Sequence, residues 1–194
     1  IAAAADREFA DPASEQAALA RIPYYGGLWP SARALAAMLA VRRDQLPGTA
    51  VLELGCGLAL PAMLAARWGA RVLATDFHPA VAELLHGNIA RNELADSLRY
   101  QQVDWRTCPD LGARYPWIIG SDILYEAAQV PTMVTTLRRH LLPGGTVLIT
   151  DPGRAYVQAF VTAMEHDGWQ VVMDVLRVTD EQGTHDIFTL ACQQ

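Results

Sequence analysis

Val51-Leu-Glu-Leu-Gly-Cys-Gly57 joins an aliphatic run to two glycines that are separated by a single residue. The run from Ala50 to Leu54 is short and, Glu53 apart, apolar, and predicts a strand. Gly55 and Gly57 allow a tight turn and a close backbone approach. A helix is predicted next, from about Leu60 to Trp68. Strand, glycine turn and helix in that order make one unit of a parallel α/β sheet.

The same alternation runs outward in both directions. Upstream, Pro30 suits a first helical position and Leu35, Met38 and Leu39 share a face. Downstream, Arg71–Thr75 predicts a strand, and the helix after Pro79 carries Val81, Leu84, Leu85 and Ile89 as an apolar stripe. Strands near Leu98–Val103 and Trp117–Ile119 follow. A helix from Pro131 shows Met133, Val134, Leu137 and Leu141, and Leu142-Pro-Gly-Gly145 reads as a helix stop and turn before the strand Thr146–Thr150. Tyr156, Phe160 and Met164 recur at helical spacing. Two late strands, Gln170–Leu176 and Asp186–Ala191, flank the polar turn Asp180–Gly183. The pattern predicts an α/β fold: a doubly wound, mostly parallel seven-stranded sheet with helices on both faces, closed at one edge by an antiparallel C-terminal pair.

Composition narrows the class. At roughly 100–200 residues per domain, 194 residues make one domain; the expected organisation is an N-terminal extension, 1–24, and a single domain, 25–194. A content of 52% hydrophobic and 19% charged residues excludes a disordered or collagen-like chain. The longest apolar run, Leu58 to Ala66, is far short of the ~18–20 residues of a membrane helix. The first residues lack the basic-then-apolar order of a signal peptide. Net charge is −6, and all 15 basic residues are arginine; nothing suggests the basic face of a nucleic-acid binder. Cys56, Cys108 and Cys192 are scattered and odd in number, which points to a reducing, cytoplasmic setting rather than a disulfide framework. The five histidines have no metal spacing, and His140 and His166 sit near helix ends, where partial positive charge is favoured.

In such sheets ligands bind outside the carboxyl ends of the strands, at the point where strand order reverses. Each strand end here carries a polar group. Glu53 precedes the glycines. Asp76 ends the second strand about twenty residues after the glycine turn, where an acid accepts from ribose hydroxyls; as an alternative it caps the following helix. Asp104-Trp105 follows the third strand. Its acid can accept from an exocyclic amine and its indole can pack beside a ring, or the pair is a solvated turn and a core tryptophan. Gly120-Ser-Asp122-Ile-Leu-Tyr125 follows the fourth and puts a carboxylate and a phenol at the mouth of the sheet, unless they are a cap and a packed ring.

Together with Leu142-Pro-Gly-Gly145, these motifs resemble those of the class I, seven-β-strand S-adenosylmethionine-dependent methyltransferases, a Rossmann-like fold. More narrowly, Leu28-Trp29-Pro30-Ser31, Asp104-Trp105 and Asp122-x-x-Tyr125 resemble methyltransferase family 16, which contains many protein-lysine N-methyltransferases. The resemblance covers about Tyr25 to the C-terminus. It implies S-adenosylmethionine as cofactor and S-adenosylhomocysteine as product, with no metal. It implies that Glu53, Gly55 and Gly57 surround the methionine part, Asp76 holds the ribose, and Asp104 and the Trp105 backbone face the adenine. Trp29 then helps wall the pocket, Ser121 lies beside the cofactor, and Asp122 and Tyr125 orient the nucleophile. The chain departs from the family at Leu58-Ala59, where Thr-Gly is frequent.

The implied activity is N-methylation of a protein lysine. Small-molecule N- or O-methylation is the rival, because one core serves both; a non-catalytic scaffold would have no use for Asp122 and Tyr125. An NAD enzyme would need a third glycine where Leu60 stands, and a nucleic-acid N-methyltransferase would need prolines where Ile123 and Leu124 stand. Partners expected are a protein lysine or a small acceptor, with neither nucleic acid nor membrane.

Overall fold

The computed structural model describes residues 24–194. The expected N-terminal extension, 1–24, lies outside that span save for Tyr24, as does the reading of the first residues.

Among the described residues the strands are β1 (Ala50–Leu54), β2 (Arg71–Asp76), β3 (Leu98–Gln102), β4 (Tyr115–Ser121), β5 (Leu141–Asp151), β6 (Gln170–Asp180) and β7 (Gly183–Gln193). The helices are α1 (Pro30–Val41), α2 (Leu60–Arg67), α3 (Val81–Arg91), α4 (Val130–His140) and α5 (Tyr156–His166). One sheet holds all seven strands in the order β3-β2-β1-β4-β5-β7-β6. β1 to β5 pair in parallel, and β7 runs antiparallel to both β5 and β6.

Side-chain alternation along each strand builds two cores. Leu52, Leu54, Ile118, Val147 and Ile149 pack with α4 and α5 on one face. Val51, Val72, Trp117, Ile119 and Leu148 pack with α1, α2 and α3 on the other. Successive residues of a strand point to opposite faces, so a strand covered on both sides is largely apolar. No helix of the described residues is long and apolar enough to cross a membrane.

Several sequence expectations are corrected in detail. Leu84, placed in the apolar stripe of α3, is 42% exposed; the buried stripe is Val81, Leu85 and Ile89, at a spacing of four. Leu142-Pro-Gly-Gly145 is not a separate turn. The chain passes from α4 straight into β5, and β5 advances from Leu141 to Thr146 while β4 advances only from Tyr115 to Trp117. The motif is therefore a bulge at the start of the strand. A Cβ on Gly145 would stand 2.8 Å from the Pro116 carbonyl and 2.9 Å from Leu141. Gly145→Ala is accordingly expected to cost about 1–3 kcal/mol, read as a fall in Tm of roughly 2–4 °C per kcal/mol.

The C-terminal hairpin is longer than expected, because its outer half carries no apolar signal. It is held there by an Arg177–Asp186 pair and by Thr179 against Thr184. His140 is the last residue of α4, at the helix end as expected, and is wholly buried. Its Nε2 accepts the Leu111 N–H (3.1 Å), and its Nδ1 lies 2.9 Å from the Thr136 carbonyl, which fixes Nδ1 as the protonated nitrogen.

Candidate active site

Strand order reverses between β1 and β4: the chain leaves β1 toward β2 and β3, then returns to place β4 on the opposite side. The loops after these two strands therefore face each other. Gly55 (φ 64°) and Gly57 (φ 48°) both take left-handed backbone. A Cβ on Gly55 would stand 2.6 Å from Ile123 Cγ2, and one on Gly57 would stand 3.2 Å from the Tyr25 carbonyl. Ala59 also has positive φ, 57°. The departure from glycine there is accommodated at about 1–2 kcal/mol of backbone strain.

Asp76 is tied to this turn. Its Oδ2 accepts the Gly57 N–H (3.0 Å) and its Oδ1 accepts the His78 N–H (2.9 Å). The alternative role is corrected: α3 starts at Val81, and Asp76 does not cap it. The Phe77 amide is a third backbone donor, and a carboxylate has about four acceptor sites, so capacity for a ligand remains. Burial pushes the Asp76 carboxyl up, against the pull of the His78 and Gly57 amides.

Glu53 is wholly buried. Its Oε2 accepts the Ala62 N–H at 3.1 Å, whereas Oε1 has no partner among the described residues. Burial raises its pKa well above the ordinary carboxylate value; the Ala62 amide lowers it, and Asp76 adds to the rise. The folded state thus holds this proton more tightly than the unfolded chain. Its stabilising contribution is full at low pH and is lost as pH rises through the folded value. Glu53→Gln is uncharged at every pH, so its Tm is expected to gain on the wild type as pH rises above the ordinary carboxylate range in thermal unfolding.

Asp104 accepts from Arg106 through both oxygens: Oδ1 from Nε (2.7 Å) and from the backbone N–H (3.1 Å), Oδ2 from Nη2 (2.9 Å). Burial pushes its carboxyl up, but Arg106 outweighs that and holds it below the usual range. The guanidinium also lies over the Phe77 ring, 4.5 Å from its centroid. Trp105 is 2% exposed and belongs to the core beneath α4, so its indole does not pack at the sheet mouth as one reading expected. Thr136 donates to its carbonyl.

At the end of β4, Ser121 is half-buried and lies opposite Thr150 of β5. Asp122 follows with φ 62°, its N–H donating to the Thr150 carbonyl (2.8 Å). Burial pushes its carboxyl up, while Arg154 and Ser31 pull it down and Asp151 adds to the rise. Tyr125 is pushed up to about 12 by burial; it lies within electrostatic reach of Arg106, Glu126, Asp76 and Asp104. Trp29, at the start of α1, is 39% exposed, and its indole N–H donates to the Tyr24 carbonyl. The adjoining Tyr25 stacks on His78, with ring centroids 4.2 Å apart. The segment carrying Trp29 thus lies across the glycine turn.

The expected residues of β1, β2, β3 and β4 therefore meet at one end of the sheet. Sequence reasoning missed Arg106, which occupies Asp104; Arg154, which pairs with Asp122; and Tyr25, which covers Gly57. Arg154 stands in Asp151-Pro-Gly-Arg154, directly after β5, and the rule applied to the other strand ends would have found it. Among the described residues no group of three or more His, Cys, Asp or Glu could hold a metal ion.

The family model described as lysine methyltransferase matches residues 24–167. The electron transfer flavoprotein beta subunit lysine methyltransferase of Xenopus laevis is 34% identical over 138 residues, 69% of this chain and 54% of that protein. The histone-arginine methyltransferase METTL23 of Homo sapiens is 33% identical over 118 residues, 57% of this chain and 60% of that protein. The chain thus spans little more than half the length of these relatives. Among solved structures, magnesium protoporphyrin IX methyltransferase from Synechocystis PCC 6803, with bound SAM, superposes with a TM-score of 0.67 at 14% identity, over 85% of this chain and 80% of that one. That likeness carries the fold. With a family model matched over residues 24–167, most of the chain, this chain belongs to the lysine methyltransferase family.

Proposed function

We propose that the protein transfers a methyl group from S-adenosylmethionine to the side-chain amine of a protein lysine. The observation that carries this reading is the convergence of Glu53, the Gly55–Gly57 turn, Asp76 and Asp122 at the switch point of the sheet in a chain of this family. The residues fit an adenosyl sulfonium. Glu53 Oε1 is a buried acceptor without a donor, and such atoms call for a partner. Asp76, anchored by backbone amides, keeps acceptor capacity for a sugar diol. Asp104 keeps less, because Arg106 spans both of its oxygens; an adenine amine would share it with that guanidinium.

When bound, the cofactor supplies an electrophilic methyl on a cationic sulfur. The chain then has to present a neutral amine in line with it and exclude water. Lysine is charged near pH 7, with an unperturbed pKa of about 10.4. A partly buried, low-dielectric site beside a cation disfavours the ammonium. Asp122 accepts an N–H hydrogen bond from the acceptor and so directs its lone pair; Tyr125, neutral because its pKa stands at about 12, narrows the approach without adding charge.

The test is transfer of label. Purified protein is incubated with methyl-tritiated S-adenosylmethionine and a cell lysate, and the labelled product is hydrolysed to amino acids. Methyl-lysine from a protein band supports the reading, and label confined to the small-molecule fraction overturns the acceptor class. One relative is a histone-arginine methyltransferase, so methyl-arginine is the second outcome to be scored.

A further inference from the structure

Resting on the reading of Asp122 as the acceptor carboxylate, we infer that Arg154 is a positioning residue that makes Asp122 a one-oxygen acceptor, and so selects a lysine-type amine over an arginine-type guanidinium.

The arrangement is built from β4, β5 and the loop after β5. Arg154 Nη1 forms an ion pair with Asp122 Oδ1 and a second with Asp151 Oδ2, at 3.1 Å. Asp151 is wholly buried and is itself held in place: its Oδ1 accepts the Gly153 N–H (2.9 Å) and the Arg154 N–H (2.8 Å). Gly153 has φ 90°, and a Cβ there would stand 2.6 Å from the Phe188 ring, so the turn that presents Arg154 is closely fitted. On the other side Thr150 Oγ1 donates to the Ser31 carbonyl (2.8 Å), and Ser31 lies beside Asp122. The carboxylate thus has two neighbours, Arg154 and Ser31, each held in turn by β5 or the loop after it.

One of its oxygens is closed. Oδ1 is shut away from solvent behind Arg154, and the Asp122 side chain as a whole is 13% exposed. That leaves Oδ2 as the oxygen an entering acceptor can use, with the Ser31 hydroxyl also hydrogen-bonding the carboxylate. A guanidinium binds a carboxylate best as a fork, through two parallel N–H bonds to both oxygens. That mode is closed here. An amine needs one acceptor, and the Oδ2 lone pairs supply it. Arg154 also offsets the carboxylate charge, so the site binds a donor without strongly favouring its protonated form, and a lysine must lose its proton before it can react. The facing charges around Asp122 are Arg154 and Asp151.

The experiment follows the Asp122 carboxyl carbon by NMR in protein labelled with 13C at aspartate, in wild type, Arg154→Met, Arg154→Gln and Arg154→Lys. In the two neutral variants the Asp122 midpoint is expected to move up by about 1 pH unit or more. Arg154→Lys, which keeps the charge, is expected to stay near wild type, while the exposed Asp174 on β6 does not move in any variant. Butylamine and butylguanidine are then titrated in as probes. In wild type the amine perturbs the Asp122 signal at the lower concentration. In Arg154→Met the guanidine is expected to gain about tenfold relative to the amine, the size of one charge-assisted hydrogen bond. An unmoved midpoint in both neutral variants, or an unchanged probe ratio, overturns the proposal. The two neutral variants guard against a single misfolded protein. The midpoint needs no cofactor; failure of wild type to bind S-adenosylhomocysteine would instead sink the methyltransferase reading and leave the Arg154 result to be judged on the titration.

Discussion

Asp76→Ala is expected to raise the dissociation constant for S-adenosylhomocysteine by about 100-fold or more, measured by calorimetry. The carboxylate does two things at once. It joins the end of β2 to the turn after β1 by accepting the Gly57 N–H, and it holds the chain beyond β2 by accepting the His78 N–H. It is also the acid proposed to hold the ribose. Hydrogen bonds to a charged group are worth roughly 1.5–3 kcal/mol each, and about 1.4 kcal/mol is a factor of ten. Losing the ligand contacts and loosening the turn that carries Gly57 together give the stated size. Asp76→Asn keeps one acceptor oxygen and is expected to fall between the variant and the wild type. Asp96→Ala, at an exposed acid after α3, serves as the control for loss of one negative charge. Retained affinity in Asp76→Ala, with Tm unchanged, would remove the ribose assignment.

The sheet was legible in the sequence because a strand buried on both faces is largely apolar, its few polar residues, such as Glu53, gathering toward the carboxyl end. Ala50–Leu54 and Thr146–Thr150 announce themselves in this way. The helices were found by spacing, and their ends were misjudged where a residue sits at the rim of a stripe, as Leu84 does. The LPGG motif misled because proline and glycine signal a turn, whereas here they form a bulge that keeps pairing with β4. At the site, the acids were legible one by one, since each follows a strand. Their partners were not. Arg106 pairs with Asp104 only two residues before it, whereas Arg154 reaches Asp122 from the loop after another strand; its place after β5 marks it as a candidate, but the linear sequence does not say which carboxylate it meets. Trp105 shows the reverse error. Its position beside Asp104 suggested a ring at the sheet mouth, yet an indole that large gains more by burial beneath α4.

Asp122→Ala is expected to leave the affinity for S-adenosylhomocysteine within about twofold while lowering the single-turnover rate of methyl transfer by roughly 100-fold or more, the lower end of what a positioned proton-accepting group contributes. The backbone matters to the choice of variant. Asp122 has φ 62°, a conformation that aspartate and asparagine tolerate better than alanine. Alanine there adds strain of about 1–2 kcal/mol and leaves Arg154 with Asp151 as its remaining partner. Asp122→Asn avoids both problems in part: it accepts the left-handed backbone and retains an oxygen acceptor, but carries no charge. If Asp122 acts by accepting one N–H bond and aiming a lone pair, the asparagine variant should recover much of the rate lost in the alanine variant, with the pH profile of transfer displaced. If charge is what matters, asparagine should be as slow as alanine. Full turnover in both variants would show that the acceptor is oriented elsewhere, and Tyr125→Phe, otherwise expected to be mild, would become the next substitution to measure.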